Sequence, residues 1–252
     1  MSMKACIVIP VLDEETQLGA CIDRVHEMLV RFWGGSFSIV IADNGSTDAT
    51  PTIAARLARK YPQVEVLRLD RKGRGGALRT AWLRSSAEVL AYMDVDLSTD
   101  LAHLPELLGA IVQGGCDVAI GSRHLPGSRV ERNLKRETLS RVYNGLVRGV
   151  LGLRIRDAQC GFKALNRKAA LRLLPEVRND RWFFDTELLA RAQWLGFQIR
   201  EFPVRWVHDP DSRVKLVSTI AEDLRGLVRL RWDRMQFGRM TSVKPVSVKK
   251  QT

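Results

Sequence analysis

Two kinds of apolar run alternate along the chain. Residues 5–9, 37–42, 64–69, 89–93 and 117–120 are short and nearly unbroken, with many β-branched side chains, as strands buried on both faces require. Residues 18–32 instead place Leu18, Cys21, Ile22, Val25, Met28, Leu29 and Phe32 at helical intervals, and 48–57, 75–83 and 104–112 repeat that spacing, with Thr47 or Asp48 as cap of the second helix. The order βαβαβαβαβ predicts an α/β fold: a mostly parallel sheet with helices on both faces.

After Arg123 the pattern loosens. Residues 125–135, with Pro126, Gly127 and clustered charges, read as a mobile loop, and a helical period resumes over 136–151. A short strand is expected at 158–165, helices at 167–174 and 185–195, and a strand at 199–207 with Pro203 at or near an edge. An amphipathic helix over 218–235 follows. No internal repeat or linker divides the chain, so a single domain over 1–235 is expected, with 236–252 as a disordered tail.

Sheets of this kind bind ligands beyond the carboxyl ends of their strands, which directs attention to the segments 10–14, 43–48, 70–76, 94–96 and 121–123. Asp94 and Asp96 form a D-x-D at the end of the fourth strand. In extended chain, residues i and i+2 face the same side, so both carboxylates can converge on a hard cation, Mg²⁺ or Mn²⁺; two solvated loop acids are the plainer reading. Asp43, beside an Asn-Gly turn, suits the N–H edge of a pyrimidine base, whereas Asp48 suits a helix cap. Asp13 and Glu14 are explained without a ligand if they lie at the positive end of the first helix. Three glycines among Lys72, Arg74 and Arg79 open a helix where backbone and basic groups can approach phosphate, but the pattern is neither a Walker loop nor a dinucleotide fingerprint.

Composition narrows the partners. The 252 residues carry a net charge of +12, which favours polyanions, yet the aromatics fall in apolar runs rather than between basic residues, so nucleic acid is disfavoured. Cys6, Cys21, Cys116 and Cys160 show no metal spacing and read as structural thiols of a reducing cytosol. Neither a signal peptide nor a membrane-spanning apolar stretch is present, so contact with a bilayer would be peripheral. Arg225, Arg229, Arg231 and Arg234 with Leu224, Leu227, Val228 and Leu230 suit either an interfacial helix or an ordinary helix packed on the core.

Taken in order, PVLDEE, IADNGSTDAT, KGRGGALRTA, MDVDLST, GSR, DAQCGFKAL, FDTELL and VRWVHDPDSRV resemble the GT-A (Rossmann-like) glycosyltransferases of family two, over residues 4–231. The dolichyl- and polyprenyl-phosphate sugar synthases are most similar, their glucosyltransferase branch above all. The resemblance implies that Pro10, Val11, Asp13, Glu14 and Asp43 hold the nucleoside of a nucleotide sugar and that Asp94 and Asp96 hold metal and diphosphate. It also implies that Ser122, Arg123 and Arg136 meet the acceptor phosphate, and that Ser212 and Arg213 close over the diphosphate. Ser98 stands where the mannosyl branch has Gln, and Asp43-Asn44 replaces a double Asp.

The expected reaction is inverting, metal-dependent transfer of a hexose, glucose and UDP favoured, to a polyprenyl phosphate at the cytoplasmic membrane face, where an integral membrane partner is a compatible recruiter. A phosphate acceptor is already ionised and needs no general base. A hydroxyl acceptor would need one, with Asp185 or Glu187 as candidates. A nucleotide-binding module without turnover is the third reading.

Overall fold

The computed structural model describes residues 3–131, 134–207 and 216–241, with the backbone alone at 134–136, 216–220 and 236–241. Its first half follows the expected alternation: β1 (Ala5–Val11), α1 (Leu18–Phe32), β2 (Phe37–Asp43), α2 (Thr50–Lys60), β3 (Val64–Arg68), α3 (Arg74–Arg84), β4 (Val89–Met93), a 3-10 turn (Leu101–His103), α4 (Leu104–Val112) and β5 (Val118–Ser122). The second half contains β6 (Arg129–Glu131), α5 (Leu134–Leu151), β7 (Phe162–Asn166), α6 (Arg167–Leu173), α7 (Phe184–Trp194), β8 (Ile199–Pro203), β9 (Arg205–Val207) and α8 (Leu216–Thr241). Seven strands form one sheet in the order β3-β2-β1-β4-β7-β5-β8, parallel except for β7.

Strand alternation divides the core into two layers. Cys6, Val8, Leu90 and Tyr92 face a cluster completed by Trp82 of α3, Leu173 of α6, Leu188 of α7, Leu151 of α5 and Leu227 and Leu230 of α8. Ala5, Ile7, Ile9, Ala91 and Met93 face the opposite cluster, with Ile22 of α1, Leu57 of α2 and Leu107 of α4. Each buried Leu, Ile, Val or Met of these layers contributes roughly 1.5–3 kcal/mol, which locks the register of the central strands.

Four local expectations change. Residues 125–135 are not wholly a loop, because β6 pairs in parallel with β9 in a separate two-stranded ribbon. The strand expected over 199–207 divides at Val204: β5 ends at Ser122, which pairs with Pro203, and beyond that point the chain leaves the main sheet. The strand expected over 158–165 starts only at Phe162 and runs antiparallel, Phe162 pairing with Met93 at the carboxyl end of β4. The segment 157–161 that leads into β7 therefore lies on the same rim as the ends of β4 and β5. Helix α8 continues to Thr241, so residues 236–241, expected in the tail, are helical; 242–252 lie outside the described residues.

Candidate active site

The loops after β1 and β2 are stitched together. The Asp13 N–H donates to Ser46 Oγ (2.9 Å), and Asp13 Oδ1 accepts from the Thr47 N–H (2.7 Å). The Glu14 N–H donates to Thr50 Oγ1 (2.8 Å). Asp13 adopts φ 57°, an unusual conformation for a residue with a side chain, which these bonds hold in place. Asp13 and Glu14 precede the first turn of α1, which has no acid, so they do not serve its dipole. The N-cap of α2 is Ala49 instead of Thr47 or Asp48, although Asp48, one residue earlier, accepts the Thr50 N–H through Oδ1 (2.9 Å).

Pro10 and Val11, at the buried end of β1, pair with Ala42 and Asp43 and form the floor between these loops. Asp43 is fully buried. Its Oδ1 accepts the Ser46 N–H (2.9 Å), while Oδ2 has no hydrogen-bond partner, Arg68 Nε being 3.9 Å away; Asn44 Oδ1 is likewise unpartnered among the described residues. A buried acceptor left unmade costs about 1–3 kcal/mol, so these two adjacent oxygens, both shielded from solvent as the loops stand, are a local cost carried by the turn after β2.

Across the rim, Asp94 and Asp96 flank a turn in which Val95 points into the core and Leu97 takes φ 50°. Burial chiefly, and then these two carboxylates, push up the pKa of the Cys21 thiol, so both acids lie near one buried atom of α1. Asp96 Oδ1 accepts the Ser98 N–H (2.9 Å). The Asp94 side chain is 42% exposed; Oδ1 accepts from Arg74 Nη2 (2.7 Å), and no described donor bonds Oδ2. Among the described residues no group of three or more His, Cys, Asp or Glu is assembled for a metal. Two carboxylates with one open oxygen nonetheless fit a divalent cation that draws its other ligands from water and substrate phosphate.

Behind Asp94 lies a buried relay that the sequence reading placed only in part. Arg74 reaches from Asp94 to Asp185 Oδ2 (2.6 Å), its guanidinium stacked over Tyr92 and Trp182. Asp185 Oδ1 accepts from Lys163 Nζ (2.9 Å) and from the Tyr92 hydroxyl. Although burial acts to raise it, the Lys163 ammonium and the Arg74 guanidinium hold the Asp185 pKa below the ordinary aspartate value. Asp185 is thus an ionised group saturated by donors: it positions Arg74 and is a poor base. The visible signal was Lys163, a lone cation at an inward position of an apolar strand.

Arg123 forms a fork with buried Asp157, Nε to Oδ2 (2.7 Å) and Nη2 to Oδ1 (2.8 Å), and packs over Trp206. Burial opposes its charge, but Asp157, and to a lesser degree Asp94, keep its pKa above the usual arginine value, so Arg123 and Asp94 share one neighbourhood. Two of five guanidinium donors are engaged by that fork, leaving three for a ligand.

Other expected site residues are placed differently. Ser122 is fully buried and offers its Oγ to the His124 N–H (3.4 Å), so it has no surface for a phosphate. Arg79 is bound to the Val177 carbonyl (2.7 Å) and to Asp180, tying α3 to the α6–α7 connection instead of a phosphate; Lys72 is exposed on the glycine-rich loop. Glu187 is wholly buried between Arg191 (2.9 Å) and Arg229 (3.0 Å), an anchor of α8 on α7 rather than a base. Arg234 donates to the Leu151 carbonyl, and Leu227 and Leu230 are core; with Arg229 held by Glu187, this removes half of the residues expected to face a membrane. Arg136 lies on α5 by its backbone, and Ser212 and Arg213 lie outside the described residues.

Residues 6–174 match the sequence pattern of glycosyl transferase family 2. The chain is 39% identical to "Glycosyltransferase AglD" of Haloferax volcanii over 241 residues, 95% of this chain but 39% of that longer protein. It is 29% identical over 245 residues to the dolichyl-phosphate beta-glucosyltransferase of Saccharomyces cerevisiae, and 32% over 222 to that of Homo sapiens. These alignments cover 89% and 82% of this chain and 73% and 68% of the relatives. Among solved structures, glucosyl-3-phosphoglycerate synthase from Mycobacterium tuberculosis, crystallised with Mn²⁺, UDP-glucose and phosphoglyceric acid, superposes with a TM-score of 0.70 at 18% identity, over 91% of this chain and 79% of that one.

Proposed function

Because the chain belongs to glycosyl transferase family 2, we propose that this glycosyltransferase moves glucose from UDP-glucose to a polyprenyl phosphate by a single inverting displacement at the cytoplasmic face of a membrane. The names of the relatives suggest the sugar and the class of acceptor, the UDP-glucose bound in the structurally similar synthase suggests the donor, and the free, buried thiols suit a reducing compartment. One observation carries the choice of acceptor: Arg123, with unused donors, shares a rim with Asp94, while the two acids eligible as bases, Asp185 and Glu187, are buried in ion pairs. That is what a nucleophile already ionised before it binds requires, and a phosphomonoester, with a second pKa near about 6, is such a group.

Asp43 Oδ2 and Asn44 Oδ1, shielded from solvent as the loops stand, would accept from the base once a local opening of the stitched loops around Asp13 admits it. Asp94 and Asp96 would hold Mg²⁺ or Mn²⁺, which when bound neutralises charge developing on the leaving diphosphate. Arg123 orients the acceptor oxygen for in-line attack, and its fork with Asp157 fixes the direction from which it does so.

The test is to incubate the purified protein and membranes with labelled UDP- and GDP-sugars and follow label into the lipid fraction. Label from UDP-glucose, lost in Asp96→Ala and on chelation, is the expected result. Transfer to a hydroxyl acceptor that collapses in Asp185→Asn would instead make that carboxylate a base and overturn the proposal.

A further inference from the structure

Helix α8 buries one side and leaves the other bare. Leu227 and Leu230 pack in the core, and Gly226 sits so close to Phe183 that an added Cβ would lie 2.4 Å from the ring. On the opposite side Leu224, Val228, Trp232 and Met235 are exposed, Val228 at 72% and Trp232 at 62%. Their spacing of four, four and three residues puts them on one helical face, roughly 16 Å long. An apolar stripe that includes a bare tryptophan is expensive to leave in water, and none of these four is needed to hold α8 in place.

Charge identifies what covers it. Arg225 and Arg231 are exposed on this face and make no ion pair among the described residues. The acids of the helix turn inward: Asp233 contacts Arg191 (3.2 Å) and Arg229 (3.8 Å), Glu222 accepts from Asn179 (3.0 Å), and Asp223 is buried. Helix α5, which packs beside α8, exposes Val142 and Leu146 together with Arg141 and Arg148. Arg141 is held by Glu137 of its own helix; among the described residues the surface otherwise combines apolar side chains, an exposed tryptophan and unpaired cations, the chemistry of an anionic lipid headgroup layer over acyl chains.

The stripe also starts at the site. Asp223, one residue before Leu224, accepts from Gln159 (3.2 Å), and Gln159 belongs to the 157–161 segment that carries Asp157 and touches Asp94. We propose that Leu224, Val228, Trp232 and Met235, with Arg225 and Arg231, form the surface by which this protein lies on an anionic bilayer, so that a lipid phosphate enters beside Arg123 while its chain stays in the membrane. This rests on the lipid-acceptor reading above and adds to it the docking face.

The full chain is tested by co-sedimentation with vesicles of phosphatidylcholine, with and without phosphatidylglycerol, and by sedimentation velocity without lipid. Binding to the anionic vesicles, weakened by salt and reduced about tenfold or more in Val228→Glu/Trp232→Glu, is expected, as removing two buried apolar side chains implies. Arg225→Glu/Arg231→Glu should lose the preference for anionic vesicles. Transfer to a short polyprenyl phosphate dispersed in detergent should remain intact in both variants. Unchanged vesicle binding in the first variant overturns the proposal. So does a dimer of the native chain that becomes monomeric in that variant, which would make the stripe a contact between two copies. Absence of transfer in detergent counts against the acceptor reading and leaves the vesicle result standing.

Discussion

Gly161 decides whether Asp94 can occupy its position. A Cβ built at Gly161 stands 1.7 Å from Asp94 Oδ2 and 2.5 Å from its Cγ. Ordinary contact is 3.4–4 Å, so in Gly161→Ala the carboxylate must retreat by about 2 Å, and with it the open oxygen assigned to the metal. Gly161 is not among the glycines with positive φ, so the backbone accepts alanine. Loss of the Arg74 contact at a half-exposed carboxylate costs at most about 1 kcal/mol, and the stiffer unfolded chain returns about 0.4–1 kcal/mol. Stability should therefore change by less than about 1 kcal/mol, a shift in Tm within about 4 °C. Transfer should fall about 100-fold, as a displacement of an ångström or more at a reacting centre does. The assay pairs kcat for lipid glycosylation with Mn²⁺ titration calorimetry and thermal unfolding of the same sample. Native turnover and metal affinity in the alanine variant would refute the reasoning, and so would a loss of activity explained by unfolding.

Asp43→Asn puts an N–H where the open Oδ2 now is, since Oδ1 must keep the Ser46 N–H, and should weaken UDP binding about 10- to 100-fold by calorimetry; an unchanged Kd would remove Asp43 from the base site. Burial first, and Glu222 second, raise the Asp223 carboxyl to about 7, so between about pH 4 and 7 the native chain keeps a proton that the unfolded chain has released. Stability must then fall as pH rises through that window, by up to about 4 kcal/mol, and urea midpoints at pH 5 and pH 8 should converge in Asp223→Asn. Removing Glu187 leaves Arg191 and Arg229 with Asp233 as their shared partner, so Glu187→Ala should lose about 1–3 kcal/mol in urea titrations while the folded fraction keeps its kcat. A pH–rate profile that lost its acidic limb in that variant would restore Glu187 as a base.

Much of the scaffold was legible because β1, β2, β4 and β5 are buried on both faces and so read as unbroken apolar runs. The reversal of β7 was not, since a strand's direction leaves no mark on its composition. Nor was β6, whose three residues are half exposed and owe their conformation to β9. At the site, Asp43, Asp94 and Asp96 stood out as acids at strand ends. Basic residues were harder: the same glycine-rich stretch supplies Arg74, which reaches Asp94, and Arg79, which braces Asp180, and local sequence does not reveal which way each turns on α3. The same limit applied to α8, where helical spacing shows a stripe but only packing tells Leu227 and Leu230 inside from Val228 and Trp232 outside.

Five consecutive residues act as a spacer between two chemistries. Asp157 fixes the Arg123 guanidinium, and Gly161 leaves room for the Asp94 carboxylate, the two groups to which the proposed reaction gives the incoming and the departing phosphate. Because β7 enters the sheet head-on at the rim, lengthening or shortening that stretch would shift both fixtures against each other, altering how large an acceptor fits between them. Under the proposed reaction, acceptor range would be set less by a pocket wall than by a count of peptide units.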